Sequence, residues 1–327
     1  MNNRILGNSG AKVSEVGLGT WQIGGSWGDI NDAQALKILR QAVDSGINFF
    51  DTADVYGDGR SERLIGEFLK QTNSRVFVAT KLGRGSSPGW PENFQAKNVR
   101  AHVEASLARL GVDALDLIQL HCIPTEVLRE GTIFETLRQL KTEGLVKNFG
   151  ASVESDEEAL ICLQQSGLTS LQIIFNIFRQ KPISTIFDRA KTQNVGIIAR
   201  VPLASGLLSG KMSLETKFSA TDHRNYNRDG QSFNVGETFA GIPFDKGIEL
   251  VDSLRTLLPK DMTMSQAALR WILDFDAVTT VIPGASSVEQ VRANVSASNL
   301  SPLSPKLHQA LTKFYDQAVV ANIRGPY

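Results

Sequence analysis

The chain has 327 residues, of which 42% are hydrophobic and 21% are charged, as in an ordinary globular protein. Its 34 Lys and Arg residues balance 34 Asp and Glu residues, so net charge favours neither a nucleic acid nor a membrane as partner. Two cysteines exclude a disulfide scaffold, and because no apolar run reaches the roughly 18–20 residues of a membrane span and no signal peptide is visible, we expect a cytoplasmic protein.

Apolar strand patterns alternate with helix patterns from the start of the chain. Four predicted strands occupy the first half: Val16–Thr20, Ile47–Phe50, Arg75–Lys81 and Leu115–His121. Helices with apolar residues at helical spacing follow them. The first is capped by Asn31 or Asp32 and stops at Gly46; the others cover 61–71, Asn98–Leu110, and a segment from a Thr132-x-x-Glu135 capping box to Gly144.

The second half continues the alternation. Its predicted strands are Leu145–Ala151, Leu171–Phe175, Val195–Val201 and Ala277–Ile282. Its predicted helices run from a Ser155-x-x-Glu158 capping box to Gly167, over Ile183–Gln193, over Val288–Val295, and over about 303–319.

Eight strand–helix units in succession predict a (β/α)8 TIM barrel that occupies 1–327 as a single domain. A doubly wound open sheet is the alternative, but the Gly-x-Gly-x-x-Gly turn expected after its first strand is missing from the sequence. Before the first strand, Arg4–Leu6 and Lys12–Ser14 predict a hairpin that closes the bottom of the barrel.

A long loop insertion follows the seventh predicted strand. It separates strands seven and eight by roughly 75 residues, and the part from Met212 to Gly241 is polar and rich in glycine. Insertions of this length are functional lids or disordered segments, and the sequence leaves both interpretations open.

Polar residues stand at the ends of the predicted strands, where TIM barrels carry their active sites. In chain order these are Thr20, Asp51, Lys81, His121, Ser152, Gln172 and Arg200. Asp51 and Lys81 come from neighbouring strands, and a buried carboxylate needs such a partner. Tyr56, in the loop after Asp51, can reach over them and over His121.

Tyr56, Lys81 and His121 suit the protonation of a carbonyl group. A nearby ammonium favours phenolate, so we expect Lys81 to lower the pKa of Tyr56 from its usual value of about 10. Neutral His121 would donate a hydrogen bond to the same carbonyl oxygen. Such a site reduces carbonyls if a nicotinamide supplies the hydride.

These residues resemble the aldo-keto reductase family. The resemblance rests on Asp51-Thr-Ala-x-x-Tyr56-Gly, on Lys81 and His121 at strand ends, on Gly17-Leu-Gly-Thr-Trp21, and on Val281-Ile-Pro-Gly284. It implies a (β/α)8 barrel, a nicotinamide cofactor, usually NADPH with NADH possible, and reduction of aldehydes or ketones. It makes Asp51, Tyr56, Lys81 and His121 the catalytic tetrad, with Tyr56 as general acid.

The resemblance also implies the ligand-binding positions. Those for the cofactor are Thr20, Trp21, Asp51, Ser152, Gln172, Arg200, Pro202, Leu203, Ser205, Gly206, Lys211, Gly284, Ser286, Gln290 and Asn294. Trp21, Tyr56 and His121 would contact substrate, and no metal is expected. The chain departs from the family at Val153, Arg200, Gly284 and Ala293, so Lys211, Arg224, Arg228 or Arg292 would have to supply a phosphate contact.

Two other functions fit the same residues. Lys81 could form a Schiff base in a lyase or aldolase, or the barrel could be a catalytically weak nucleotide-sensing regulatory subunit. The expected partner is a small carbonyl substrate, and neither a nucleic acid nor a membrane is expected. The protein itself would be a monomer or a homo-oligomer. Trp21 and Trp27 could be ordinary surface or core aromatic residues, but the resemblance places Trp21 beside the pocket and favours a substrate contact for it.

Overall fold

The computed structural model describes residues 1–25 and 30–327. Eight parallel strands form one sheet in chain order: β3 (Leu18–Gly19), β4 (Phe49–Asp51), β5 (Phe77–Leu82), β6 (Leu117–His121), β7 (Phe149–Ser152), β8 (Ser170–Ile174), β9 (Gly196–Arg200) and β10 (Val278–Val281). The amides of Gly17 and Gly19 donate to the carbonyls of Val281 and Pro283, at 2.8 and 3.1 Å. Because the first strand thus pairs with the last, the sheet closes and the predicted barrel is confirmed.

An antiparallel hairpin precedes the barrel, as predicted. It consists of β1 (Asn3–Ile5) and β2 (Lys12–Ser14). Leu6 and Val13 are fully buried and pack in one cluster with residues from inside the barrel, among them Phe49 and Leu117. The hairpin therefore closes the end opposite to the strand C-termini.

Fourteen α-helical segments are assigned within the described ranges. They are α1 (Trp21–Gly24), α2 (Asp32–Asp44), α3 (Arg60–Gln71), α4 (Ala96–Leu110), α5 (Thr125–Glu130), α6 (Thr132–Thr142), α7 (Asp156–Cys162), α8 (Pro182–Thr185), α9 (Phe187–Thr192), α10 (His223–Tyr226), α11 (Phe244–Arg255), α12 (Met264–Leu273), α13 (Val288–Ser296) and α14 (Pro305–Phe314). In this part of the chain, no helix is both long enough and apolar enough to span a membrane.

The helix boundaries correct two predictions. The predicted helix Ile183–Gln193 is two short helices, α8 and α9, that meet at Ile186. Thr132 does not cap α6: the preceding Gly131 takes the N-cap position, and no side chain bonds there. By contrast, Asn31 caps α2 and Ser155 caps α7, each by accepting a bond from a backbone amide three residues later.

The insertion after β9 is structured. Besides α10 and α11 it contains short 3-10 turns at Ala204–Ser209, Val235–Glu237 and Phe239–Gly241. It leads into α12, the seventh outer helix of the barrel, which the sequence analysis missed. The sequence had left a disordered insertion open, and that alternative is wrong.

Candidate active site

A cavity of about 410 Å³ opens where the barrel strands end. Every predicted tetrad, cofactor and substrate position except Lys81 lines it: Thr20, Trp21, Asp51, Tyr56, His121, Ser152, Gln172, Arg200, Pro202, Leu203, Ser205, Gly206, Lys211, Gly284, Ser286, Gln290 and Asn294. Of the four alternative phosphate contacts, Lys211 and Arg224 line the cavity, whereas Arg228 and Arg292 do not. Lys81 lies below the cavity with 1% of its surface exposed. The strand-end positions thus meet in one site, as the strand-end rule predicts, together with the positions that the family resemblance implied.

Asp51 and Lys81 form a buried ion pair. Adjacent strands β4 and β5 carry them, and Lys81 Nζ lies 2.5 Å from Asp51 Oδ1. The same ammonium donates to the Thr52 carbonyl at 2.8 Å and to the Tyr56 hydroxyl at 3.3 Å. All three of its hydrogens are therefore matched by an acceptor. Burial lowers the pKa of Lys81, but Asp51 and Tyr56 outweigh it, so that pKa lies above its usual value.

The second carboxylate oxygen of Asp51 is held by two amides. Gln172 and Gln119 donate to Asp51 Oδ2 at 2.7 and 3.2 Å. Sequence analysis missed Gln119, although it stands two residues before His121 in β6 and therefore points to the same side of the strand. Gln172 also accepts a bond from Ser152 Oγ at 3.4 Å, so the expected cofactor contacts belong to the network around Asp51.

Two glycines set the position of Tyr56. Gly57 has φ +62°, and a Cβ there would lie 2.1 Å from the carbonyl oxygen of Gly24. A Cβ on Gly24 would in turn lie 2.9 Å from Tyr56 Cβ. The loop therefore packs backbone against backbone on α1. The Tyr56 ring stacks on Trp21 at 6.0 Å and meets the edge of His121 at 5.9 Å between ring centres.

The expected lowering of the Tyr56 pKa is wrong in direction. Burial raises the pKa of Tyr56 above its usual 10.0, and the Lys81 ammonium only opposes that rise. Burial, assisted by Arg84 and Lys81, holds the pKa of His121 well below 6.5. The site therefore presents a protonated phenol and a neutral imidazole at neutral pH.

The cavity also has the chemistry of an anion site. Lys211 and Arg224 line it, and Arg224 also binds Asp222 at 2.6 Å. Ser286 and Gln290 line it at the start of α13, whose N-cap Ser287 accepts from the Gln290 amide. Cations and a helix N-terminus in the wall of one cavity suit a phosphate. With these cations and with the amide of Gln172 and the hydroxyl of Ser152 in the same wall, the residues fit a nicotinamide dinucleotide.

Arg200 does not present an uncompensated charge to the cavity. Its Nη1 lies 3.5 Å from an oxygen of Glu237, which also lies 2.9 Å from Arg84. Glu237 belongs to the insertion and lines the cavity. Sequence analysis missed it because the surrounding segment is irregular and gives no strand or helix pattern.

The insertion forms part of the cavity wall, because Met212, Arg224 and Glu237 line the cavity. The Trp21 ring lies 4.6 Å from His223 and 6.0 Å from Phe233, both in the insertion. Trp21 thus joins the barrel to the insertion, whereas Trp27 lies outside the described residues.

Comparison with known proteins gives one consistent result. A profile described as the Aldo/keto reductase family matches residues 15–316. An uncharacterized oxidoreductase of Bacillus subtilis, YqkF, is 30% identical over 98% of this chain and 98% of its own length. The NADH-specific methylglyoxal reductase of Escherichia coli is 29% identical over 90% of this chain and 93% of its own length.

A solved structure agrees with these sequence relatives. The holo form of aldo-keto reductase AKR11C1 from Bacillus halodurans superposes with a TM-score of 0.80 and 28% identity, covering 99% of this chain and 98% of that one. The similarity therefore extends over the barrel, the hairpin and the insertion.

Proposed function

Because the chain belongs to the aldo/keto reductase family of oxidoreductases, we propose that it reduces aldehydes or ketones to alcohols with a reduced nicotinamide dinucleotide. One observation carries the proposal: the Tyr56 hydroxyl lies 3.3 Å from Lys81 Nζ, in the wall of a cavity of about 410 Å³. We further propose that the whole chain acts as one domain on a small carbonyl compound, without nucleic acid or membrane, in the cytoplasm.

Tyr56 acts as the general acid. When bound, the reduced nicotinamide supplies a hydride to the carbonyl carbon. Tyr56 gives its proton to the carbonyl oxygen as negative charge develops there, and neutral His121 donates a hydrogen bond to that oxygen. The Lys81 ammonium stabilises the phenolate that remains, and Asp51 keeps this ammonium charged and oriented.

The cavity residues divide into three groups around the cofactor. Ser152 and Gln172 hold the carboxamide of the nicotinamide. Leu203, Ser205, Gly206 and Lys211 surround the pyrophosphate. Gly284, Ser286, Gln290 and Asn294 hold the adenosine. We propose NADPH as the first choice because Lys211 and Arg224 line the cavity, and NADH as the alternative because a relative is NADH-specific by name.

Neither alternative function gains a specific observation in its favour. A Schiff base needs a lysine whose nitrogen loses its protons and can be approached. Lys81 is 1% exposed, and its ammonium donates to Asp51, Thr52 and Tyr56, so it is not suited to attack a carbonyl. A regulatory subunit would bind the same cofactor and would differ only in lacking turnover.

The test is the pair of substitutions Tyr56→Phe and Tyr226→Phe. Tyr226 offers a matched control, since it is a tyrosine of the insertion with 38% of its surface exposed. We expect Tyr56→Phe to lower kcat by at least about 10²-fold, the usual contribution of a general acid, while the Kd for nicotinamide nucleotide stays within a few-fold. Tyr226→Phe should keep both quantities.

The assay should compare NADPH with NADH on a panel of short aldehydes and ketones that includes methylglyoxal. Full activity of Tyr56→Phe would eliminate Tyr56 as the acid. Tight cofactor binding with no turnover on any carbonyl would favour the regulatory alternative instead.

A further inference from the structure

Glu237 is the residue of the insertion that enters the charged wall of the cavity. Its side chain is 8% exposed and lines the cavity together with Arg200. One of its oxygens lies 2.9 Å from Arg84 and 3.5 Å from Arg200. Glu154 binds the same nitrogen of Arg84, Nη2, at 2.8 Å. Two guanidinium groups thus face two carboxylates.

The charges of this cluster are held in place. Burial raises the pKa of Glu237, but Arg84 and Arg200 outweigh burial and bring that pKa well below its usual 4.5. Glu237 is therefore ionised at neutral pH. Arg200 also donates to the Val153 carbonyl at 3.0 Å, so its guanidinium has a fixed place beside the cavity.

Arg200 lies close to Ser152, the proposed carboxamide contact: its Nη2 is 3.5 Å from Cys122 Sγ, and that sulfur is 3.7 Å from Ser152 Oγ. The oxidised nicotinamide ring carries a positive charge, whereas the reduced ring is neutral. A positive charge in the neighbouring wall would therefore weaken binding of the oxidised form alone. A carboxylate that cancels this charge would restore the binding of the oxidised form.

We propose that Glu237 sets the preference between oxidised and reduced cofactor by cancelling the charge of Arg200 beside the nicotinamide. The inference rests on the proposed function, because it requires that a nicotinamide binds in this cavity. Glu237 acts through Arg200, because its negative charge offsets the positive charge that Arg200 places beside the nicotinamide. The insertion supplies this residue, whereas the barrel supplies Arg200.

A purely structural role for Glu237 predicts a different pattern. If Glu237 only fastens the insertion to the barrel, its loss would loosen the cavity wall. The binding of the oxidised and of the reduced cofactor would then weaken to the same extent. The ratio of the two dissociation constants separates the roles. A unit charge in a partly desolvated site changes the binding of another unit charge on the order of tenfold, or about 1.4 kcal/mol.

The experiment is a titration of the purified chain with NADP⁺ and NADPH, and with NAD⁺ and NADH, followed by tryptophan fluorescence. We expect Glu237→Gln to raise the Kd of the oxidised forms about tenfold and to leave the reduced forms nearly unchanged. The double variant Glu237→Gln/Arg200→Gln loses one charge of each sign, so its Kd ratio should return toward that of the unmodified chain.

Two further variants complete the design. Glu154→Gln removes a carboxylate that binds Arg84 but does not line the cavity, so its effect on the ratio should be clearly smaller. Arg200→Gln should shift the ratio in the opposite direction, and it carries the test if Glu237→Gln fails to fold. Equal changes for both redox forms, or an unchanged ratio in Arg200→Gln, would overturn the inference. Failure of the unmodified chain to bind any nicotinamide would instead overturn the proposed function, and this inference with it.

Discussion

Asp51 and Lys81 form an ion pair that water hardly reaches, since 3% and 1% of their side chains are exposed. Removing two charges from water is unfavourable, and the pair is tolerated because each partner has further bonds. Gln119 and Gln172 donate hydrogen bonds to the carboxylate, and the ammonium donates one to the Thr52 carbonyl. Losing one partner should therefore be much worse than losing both.

Lys81→Met tests this asymmetry. The variant leaves Asp51 buried without a counter-charge, so we expect the free energy of unfolding to fall by about 3–5 kcal/mol. Urea denaturation measures it. The double variant Asp51→Asn/Lys81→Met should recover part of the loss.

Lys147→Met is the matched control for this substitution. Lys147 also pairs with a carboxylate, that of Asp116, but 54% of its side chain is exposed and Arg75 binds the same carboxylate. Its loss should lower stability by less than about 1 kcal/mol. Equal effects at Lys81 and Lys147 would contradict the assigned difference in burial.

Asp54 gives a pH dependence at the residue scale. Burial, with a contribution from Glu62, raises its pKa to about 7 from 3.8. Between these values the folded chain keeps a proton that the unfolded chain has lost, so the contribution of Asp54 to stability falls as pH rises from about 4 to about 7 and stays constant above that. Asp54→Asn stays neutral and should escape this fall.

Urea denaturation at pH 5 and pH 8 checks the prediction. The stability of Asp54→Asn relative to the unmodified chain should increase by roughly 2–3 kcal/mol from the lower to the higher pH. A difference that does not change with pH would show that the Asp54 carboxyl titrates normally.

At the scale of elements, local patterns predicted the strands better than the helix ends. The strands are apolar on both faces because helices cover the barrel, so their runs stand out in the sequence. Helix α12 was missed because almost all of it is buried, which removes the apolar and polar alternation. Its capping box, Thr263 with Gln266, was nevertheless present in the sequence.

Thr263→Ala and Thr132→Ala compare a cap that exists with one that only the sequence pattern indicated. Thr263 accepts from the Gln266 amide, whereas α6 has no side-chain bond at its N-cap. We expect Thr263→Ala to lower the free energy of unfolding by about 1 kcal/mol and Thr132→Ala to leave it nearly unchanged. Equal losses in urea denaturation would contradict the two cap assignments.

At the scale of the whole molecule, the number of strand–helix units predicted barrel closure, but not the docking of the insertion. Eight units suffice to infer that residues near Val16 meet residues near Val281. The contacts of Glu237 with Arg84 and Arg200 depend on how the irregular insertion folds. Its sequence has no periodic pattern of apolar residues, so these contacts could not be predicted from it. Strand ends therefore predicted the barrel side of the cavity wall, the family resemblance added Leu203, Ser205, Gly206 and Lys211 from the insertion, and Glu237 was missed.

The central claim for the whole molecule is that a hydride passes directly from the nicotinamide to the carbonyl carbon of the substrate. NADPH carrying deuterium at both C4 positions tests it without assuming which face of the ring reacts. We expect mass spectrometry to find one deuterium on the alcohol carbon of the product made by the unmodified chain, and no product label from unlabelled NADPH in D₂O at that carbon. An unlabelled alcohol carbon from deuterated NADPH would contradict hydride transfer from the nicotinamide and with it the proposed reaction.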